Sequence, residues 1–349
     1  MRLGLLAAMI FAFDVSALAA GAQTPPAPAA VAPALTAQER TEVVQGLAQA
    51  LEAAYYDPAQ GRAYAALLRA NLARGDYDGV PEPSAFGAKI TADLNALSPD
   101  GHLRIAPTAA FARPRPPAAD APLSTRISGP PGMEEAKMIG DVAYLRFNQF
   151  PDDPKVDKAA RDFLLAHADA GAVIIDSRPN RGGGVGVMAA ILPLFYAERT
   201  TLVRMDARAG VEEEGPGFED VLVPQPAPKE LARTDHIVTP DRTETRLQRT
   251  PVYYLTSRRS GSAAEHLALA LKRTGRATLV GETTAGANHF GDMKTIGRFT
   301  AFIPFGRTYD PDTGKDWEGT GVAPDVAVPA DAALDAALAL ARKAGAHPD

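Results

Sequence analysis

Apolar residues recur at helical spacing over the first part of the chain and then give way to short unbroken runs. Val43, Leu47 and Leu51 lie on one stripe, followed by Tyr64, Leu67 and Leu68 and then by Phe86, Ile90, Leu94 and Leu97. Thr36 and Glu39, three apart, form a candidate capping box at the first helix start. A small helical bundle is therefore expected over 36–100, with Tyr55 and Tyr56 as packing. After a Pro-rich connection at 107–131 the rhythm changes. Strands are predicted at 142–147, 172–176, 201–204, 252–255 and 277–280. Helices are predicted at 157–168, 185–195 and 264–272, with a last one at 331–343 carrying Leu334, Leu338 and Ala341. Such alternation argues an α/β core over 101–349 with a largely parallel sheet. Residues 206–249, rich in Glu, Pro and Arg, read as an excursion or lid.

The N-terminus reads as an export signal. A positive start at Met1-Arg2, an apolar run at 3–13 and the small-residue site Ala20-Gly21-Ala22 read as a signal peptide at 1–22, with a cut after Ala19 as the alternative. A Pro/Ala-rich linker follows at 23–35. That apolar run is too short to span a bilayer, and no later segment is apolar enough to do so. An exported protein, periplasmic or secreted, is the expectation. A formal net charge of −6 gives no basic footprint for nucleic acid. The lack of cysteine excludes a thiol nucleophile and thiolate metal sites. His, Asp and Glu show no metal-ligand spacing, so neither metal nor cofactor is expected. Nothing in the pattern speaks to oligomeric state.

Candidate chemistry gathers at two turns. Arg259-Ser260-Gly261-Ser262-Ala263-Ala264-Glu265 joins a buried strand to an apolar helix. That order can display Ser262 at a helix start, where free N–H groups favour developing negative charge. It is equally the order of an ordinary serine cap. Glu265, in the first turn, is expected to cap or brace this helix. The second turn is Asp176-Ser177-Arg178-Pro179-Asn180-Arg181-Gly182-Gly183-Gly184. Its spacing fits neither dinucleotide nor nucleoside triphosphate fingerprints, which leaves an oxyanion hole as the better reading. Asp176 and Arg178 are expected to pair and hold that loop in shape.

Five stretches together resemble the C-terminal-processing (tail-specific) serine peptidase family. They are residues 97–102, 176–184, 257–265, 280–286 and 317–325. The branch they look most like holds tricorn protease and interphotoreceptor retinoid-binding protein, without an inserted peptide-docking domain. The resemblance implies a crotonase/Clp-protease-like core of repeated strand–strand–helix units behind the helical bundle. It implies hydrolysis of peptide or protein substrates by acyl transfer. Ser262, directly before Ala-Ala-Glu, becomes the nucleophile, His102 the base and Glu318 its orienter. Gly183 and Ala263 are the expected oxyanion donors, with Gly182 as neighbouring candidate. The lysine of the tail-specific branch has no match in 286–291, and the serine before the branch's histidine is replaced by Gly101. His289, in a Gly-rich loop, is the rival base or a lining residue. Trp317 is packing or a substrate-facing wall. Two other readings of the same fold are a non-catalytic binder of apolar ligands and a hydrolase of non-peptide esters or amides.

Overall fold

The computed structural model describes residues 33–111, 122–211 and 220–348. The expected signal peptide and most of the expected linker lie outside them, as do parts of the Pro-rich connection and of the 206–249 stretch. No helix among the described residues is long and apolar enough to cross a membrane.

Three helices open the fold: α1 (Ala37–Ala54), α2 (Pro58–Ala73) and α3 (Pro83–Leu97). Each start is fixed by local chemistry. Thr36 Oγ1 accepts the N–H of Glu39 while Glu39 returns a carboxylate to the Thr36 N–H, the reciprocal box that satisfies two free donors. Asp57 and Glu82 cap the next two helices, each ahead of a proline whose missing N–H costs nothing at a first turn. The chain continues through β1 (Arg104–Pro107) and the single turn α4 (Thr108–Phe111).

The strand–helix alternation follows. It comprises β2 (Met133–Ile139), β3 (Val142–Phe147), α5 (Pro154–Ala166), β4 (Ala172–Asp176) and α6 (Gly186–Ile191). Next come β5 (Thr200–Arg208), β6 (Leu222–Gln225), β7 (Leu231–Val238) and β8 (Val252–Thr256). The chain closes with α7 (Ala263–Arg273), β9 (Thr278–Gly281), β10 (Phe290–Ile296), β11 (Phe299–Tyr309), β12 (Val326–Ala327) and α8 (Ala333–Lys343).

Among the described residues these strands form two six-stranded sheets. The first runs β12-β9-β8-β4-β3-β2, parallel except for the β2–β3 pair. Every residue of β4 and β8 is buried, as strands covered on both faces must be. Side-chain alternation sorts the two faces. Ala143, Leu145, Val173 and Ile175 pack under α5, α6 and α7, while Val142, Tyr144, Ala172 and Ile174 pack under α8.

The second sheet departs from expectation. It is antiparallel, in the order β1-β11-β5-β7-β6 with β10 also on β11. Residues 222–238, read from sequence as part of an excursion, are two of its strands. Cross-strand ion pairs explain the misreading. Arg204 lies opposite Asp235 and Arg233 opposite Asp206, each pair in hydrogen-bond contact, so charged residues occupy a sheet without being left unpaired. The helical bundle closes one face of this sheet, where Leu47, Leu51, Phe86 and Ile90 meet Ile105, Phe299 and Ala301.

Candidate active site

Three loops leave the carboxyl ends of the parallel strands β4, β8 and β9 and converge, the usual place for a site in such a sheet. Serines join two of them. Ser260 Oγ donates to the Ser177 carbonyl (2.7 Å) and Ser257 Oγ to the Arg178 carbonyl (2.6 Å). The Gly261 N–H donates to Asn180 and the Ala285 N–H to Ser260, which adds the third loop. Ser260 is fully buried by this role, and only Ser262 of the two is partly exposed.

Ser262 has φ 54° and ψ −120°, the one non-glycine positive φ among the described residues. Such a conformation costs about 1–3 kcal/mol and persists only where the surroundings enforce it. Glu265 supplies much of the enforcement. Its Oε2 accepts the N–H of Ser262 (2.9 Å) and of Ala287 (2.9 Å), while Oε1 accepts Thr284 Oγ1 (2.6 Å) and the Gly286 N–H (2.7 Å). Burial raises the Glu265 pKa above the ordinary carboxylate value, and these four donors oppose the rise.

The oxyanion candidates separate on their bonding. The Gly182 N–H is already given to Asn180 Oδ1 at 2.8 Å, so that donor is taken. The N–H groups of Gly183 and Ala263 have no hydrogen-bond partner among the described residues. Both glycines are demanded by close approach. A Cβ on Gly182 (φ 102°) would stand 2.6 Å from Ser262 Cβ, and one on Gly183 (φ 128°) 1.8 Å from the Phe150 carbonyl oxygen. Behind the loop, Arg178 grips Asp176 with Nε at 2.8 Å and a second nitrogen at 2.6 Å. Tyr144 and Arg146 also donate to Asp176, and Arg178 donates onward to the Ala330 carbonyl. Asp176 and Arg178 thus brace the loop from inside the protein and do not line the Ser262 cleft.

His102 and Ser262 line one cleft of about 290 Å³, with Arg181, Arg258, Arg259, Gly261, Ala285 and Ala287. No hydrogen bond joins the two side chains among the described residues. The His102 ring stacks on Phe302, with centroids 5.3 Å apart. Its Nδ1 is buried without a partner, and burial pushes its pKa down to about 4.

Among the described residues no hydrogen bond joins Glu318 to the His102 imidazole, which departs from its expected role as direct orienter. Its Oε1 accepts the Gly101 N–H at 2.7 Å and its Oε2 the Asn288 N–H at 2.7 Å. The reason is local: with glycine at 101 there is no side chain to relay the carboxylate to the ring, and backbone donors fill both oxygens. Glu318 instead ties the His102 loop to the 286–289 loop.

His289 lies beside this clamp, outside the cleft wall. Its Nδ1 bonds Asp100 at 2.8 Å, and its ring packs on Tyr56 with centroids 4.4 Å apart. Burial opposes charging His289, but the Asp100 bond and charge outweigh it and hold its pKa above the ordinary value. Asp100 is the functional neighbour that sequence reasoning passed over. It is buried and accepts from Tyr55, His289 and the N–H groups of His102 and Leu103. An acid two residues before a candidate base, at a helix end, was the available signal. Asp100, His289 and Glu318 bring ligand atoms within 4.8 Å of one another, the spacing of a metal site. Their carboxylate oxygens face N–H and O–H donors, which suits a hydrogen-bond hub. Trp317 is buried in the main core, so it is packing and not a wall of the cleft.

Residues 141–328 match Peptidase family S41, more than half of the chain. The chain belongs to this family. It is accordingly a serine-type peptidase, with a mixed α/β fold and an N-terminal helical region. Residues 32–139 match the N-terminal domain of Peptidase_S41 in eukaryotic IRBP. Among solved structures, this S41 peptidase is similar to a photosystem II D1 C-terminal processing protease, at 16% identity and TM-score 0.53 over 85% of this chain and 94% of that one. A putative peptidase from Parabacteroides merdae has 17% identity and TM-score 0.59, over 88% and 97% of the two chains. A lipoprotein from Streptococcus agalactiae has 13% identity and TM-score 0.56, over 87% and 96%. At these identities the likeness is one of fold.

Proposed function

We propose that this S41 peptidase cleaves peptide bonds by acyl transfer, with Ser262 as nucleophile and His102 as general base. The observation that carries the reading is the strained turn at Ser262, held by a buried carboxylate, in a cleft shared with a neutral imidazole. A serine hydroxyl needs a base to take its proton, and a neutral imidazole can do so. Attack on the carbonyl builds an oxyanion, and in this reading the open N–H groups of Gly183 and Ala263 stabilise it. His102 then returns its proton to the leaving amine, and water completes the cycle by the same route in reverse. Glu318 acts through position: it fixes the backbone on either side of the base. Asp100 fixes the His102 N–H from the other side.

Two broader parts of the reading go with this. Residues 1–22 direct export to the periplasm or the medium, and the core repeats the strand–strand–helix units of the crotonase and Clp-protease group. Amino-terminal sequencing of the mature protein tests export. The chemistry is tested by fluorophosphonate treatment and mass spectrometry. An adduct on Ser262 supports it, and an adduct elsewhere or none refutes it.

A further inference from the structure

The cleft that holds Ser262 and His102 is walled by three arginines, Arg181, Arg258 and Arg259, and by no Asp or Glu. Arg181 and Arg258 are exposed and Arg259 is half-buried. Arg146, Arg178, Arg204 and Arg233 all meet carboxylates at 2.9 Å or less. Among the described residues the guanidinium groups of the three cleft arginines have neither an ion pair nor a hydrogen bond, and Arg259 Nε is buried with no partner. Burial and the nearby Arg181 charge both press against the charged form of Arg259. Glu282 lies next to this wall, and its Oε2 accepts the Arg258 backbone N–H at 3.3 Å. It lines an adjoining cavity of about 690 Å³, which shares Arg258 and Ala285 with the cleft. The protein as a whole carries a formal charge of −6, so this concentration of positive charge does not follow from composition.

An unpaired guanidinium presents donors in a planar fork that matches a carboxylate. From this we infer that the substrate presents a carboxylate beside the scissile bond, and that Arg181, Arg258 and Arg259 select it. The chemistry is that of an Asp or Glu side chain flanking the cut. The inference rests on the peptidase reading of Ser262.

The test is a set of peptides paired as Glu against Gln and Asp against Asn at each position flanking the cut. Each is made with a free or an amidated carboxyl end, and fluorophosphonate labelling of Ser262 is measured alongside. Carboxylate peptides are expected to show kcat/KM higher by on the order of tenfold to a hundredfold, the usual yield of a charge-assisted hydrogen bond. Added salt should shrink that advantage. Arg258→Glu and Arg181→Glu, with folding checked by thermal melting, should remove or invert the preference. Survival of the preference on amidation supports the side chain, and its loss would assign it to the free carboxyl end and overturn the inference. Equal cleavage of carboxylate and amide peptides would overturn the inference while leaving the peptidase intact. A Ser262 adduct with no peptide cleaved would also overturn it, pointing to small esters or amides. Neither adduct nor cleavage would remove the peptidase reading itself.

Discussion

Replacing Glu265 by glutamine keeps the shape of the side chain and removes one acceptor, so it isolates what the carboxylate does for the nucleophile turn. Four donors converge on it, two on each oxygen. An amide has one oxygen, and its nitrogen must face one of the two pairs. Facing Ser262 and Ala287, it would leave two backbone N–H groups without an acceptor. Facing Thr284 and Gly286 costs less, because the Thr284 hydroxyl can rotate and accept even while it takes the Val322 N–H. The Gly286 N–H is still orphaned, and the remaining bonds lose their charge. A hydrogen bond to a charged group contributes about 1.5–3 kcal/mol, so the variant should lose about 2–4 kcal/mol at the turn. If that loss falls on the geometry of Ser262, acylation slows about thirty- to a thousandfold. Fluorophosphonate labelling of Ser262, followed by mass spectrometry, reads the acylation step, and thermal melting of the same sample reads the fold. A labelling rate equal to wild type with an unchanged melt would refute the argument. So would a labelling loss no larger than the fraction of protein unfolded.

Four further outcomes are expected. Because burial holds His102 neutral down to about 4, the acid limb of kcat/KM for the free enzyme should have its midpoint near 4, not near the ordinary 6.5. Glu318→Gln should lower kcat about tenfold or more without moving that midpoint, since the carboxylate meets backbone and not the ring; a shifted midpoint in the pH profile would show direct contact. Gly101→Ser would bring a Cβ to 3.3 Å from Glu318 Oε1, a tight contact that a small shift of the Glu318 side chain relieves, and should give the unpartnered Nδ1 a hydroxyl relay, raising both the midpoint and turnover; an unmoved pH profile would count against it. His236 and His266, bonded at 2.7 Å and fully buried, have pKa values held low by burial, His236 at about 4. The unfolded chain binds those protons first, so their contribution is present above about 6.5 and lost as pH falls, on the order of 3 kcal/mol for His236 alone; an unchanged thermal melt between pH 7 and 5 would contradict this.

The parallel half of the fold was legible because its strands are uninterrupted apolar runs between amphipathic helices. Those at 142–147 and 172–176 stand where the pattern put them. The antiparallel half was not. β7 contains Arg233, Asp235 and His236, which read as loop until their cross-strand partners are known. β10 keeps most of its side chains toward solvent, and Gly291 and Gly306 interrupt β10 and β11. Pairing across distant segments is not a local property, so no window of sequence could carry it.

The site divides along the same line. Ser262 and the glycine loop announce themselves because each needs a local backbone conformation that only certain residues permit. The two acids do not, because their partners are backbone groups far away. Glu318 reaches Gly101 across 217 positions, and Glu265 reaches Gly286 across 21. The family resemblance suggested that Glu318 would hold the second nitrogen of the base. Its geometry gives it a different kind of work. Both carboxylates spend their charge on fixed N–H groups, one behind the nucleophile and one behind the base. Neither makes a hydrogen bond to the His102 imidazole among the described residues. Their contribution therefore lies in holding two loops in register before substrate arrives, and the positive charge that meets the substrate comes from the arginines of the wall.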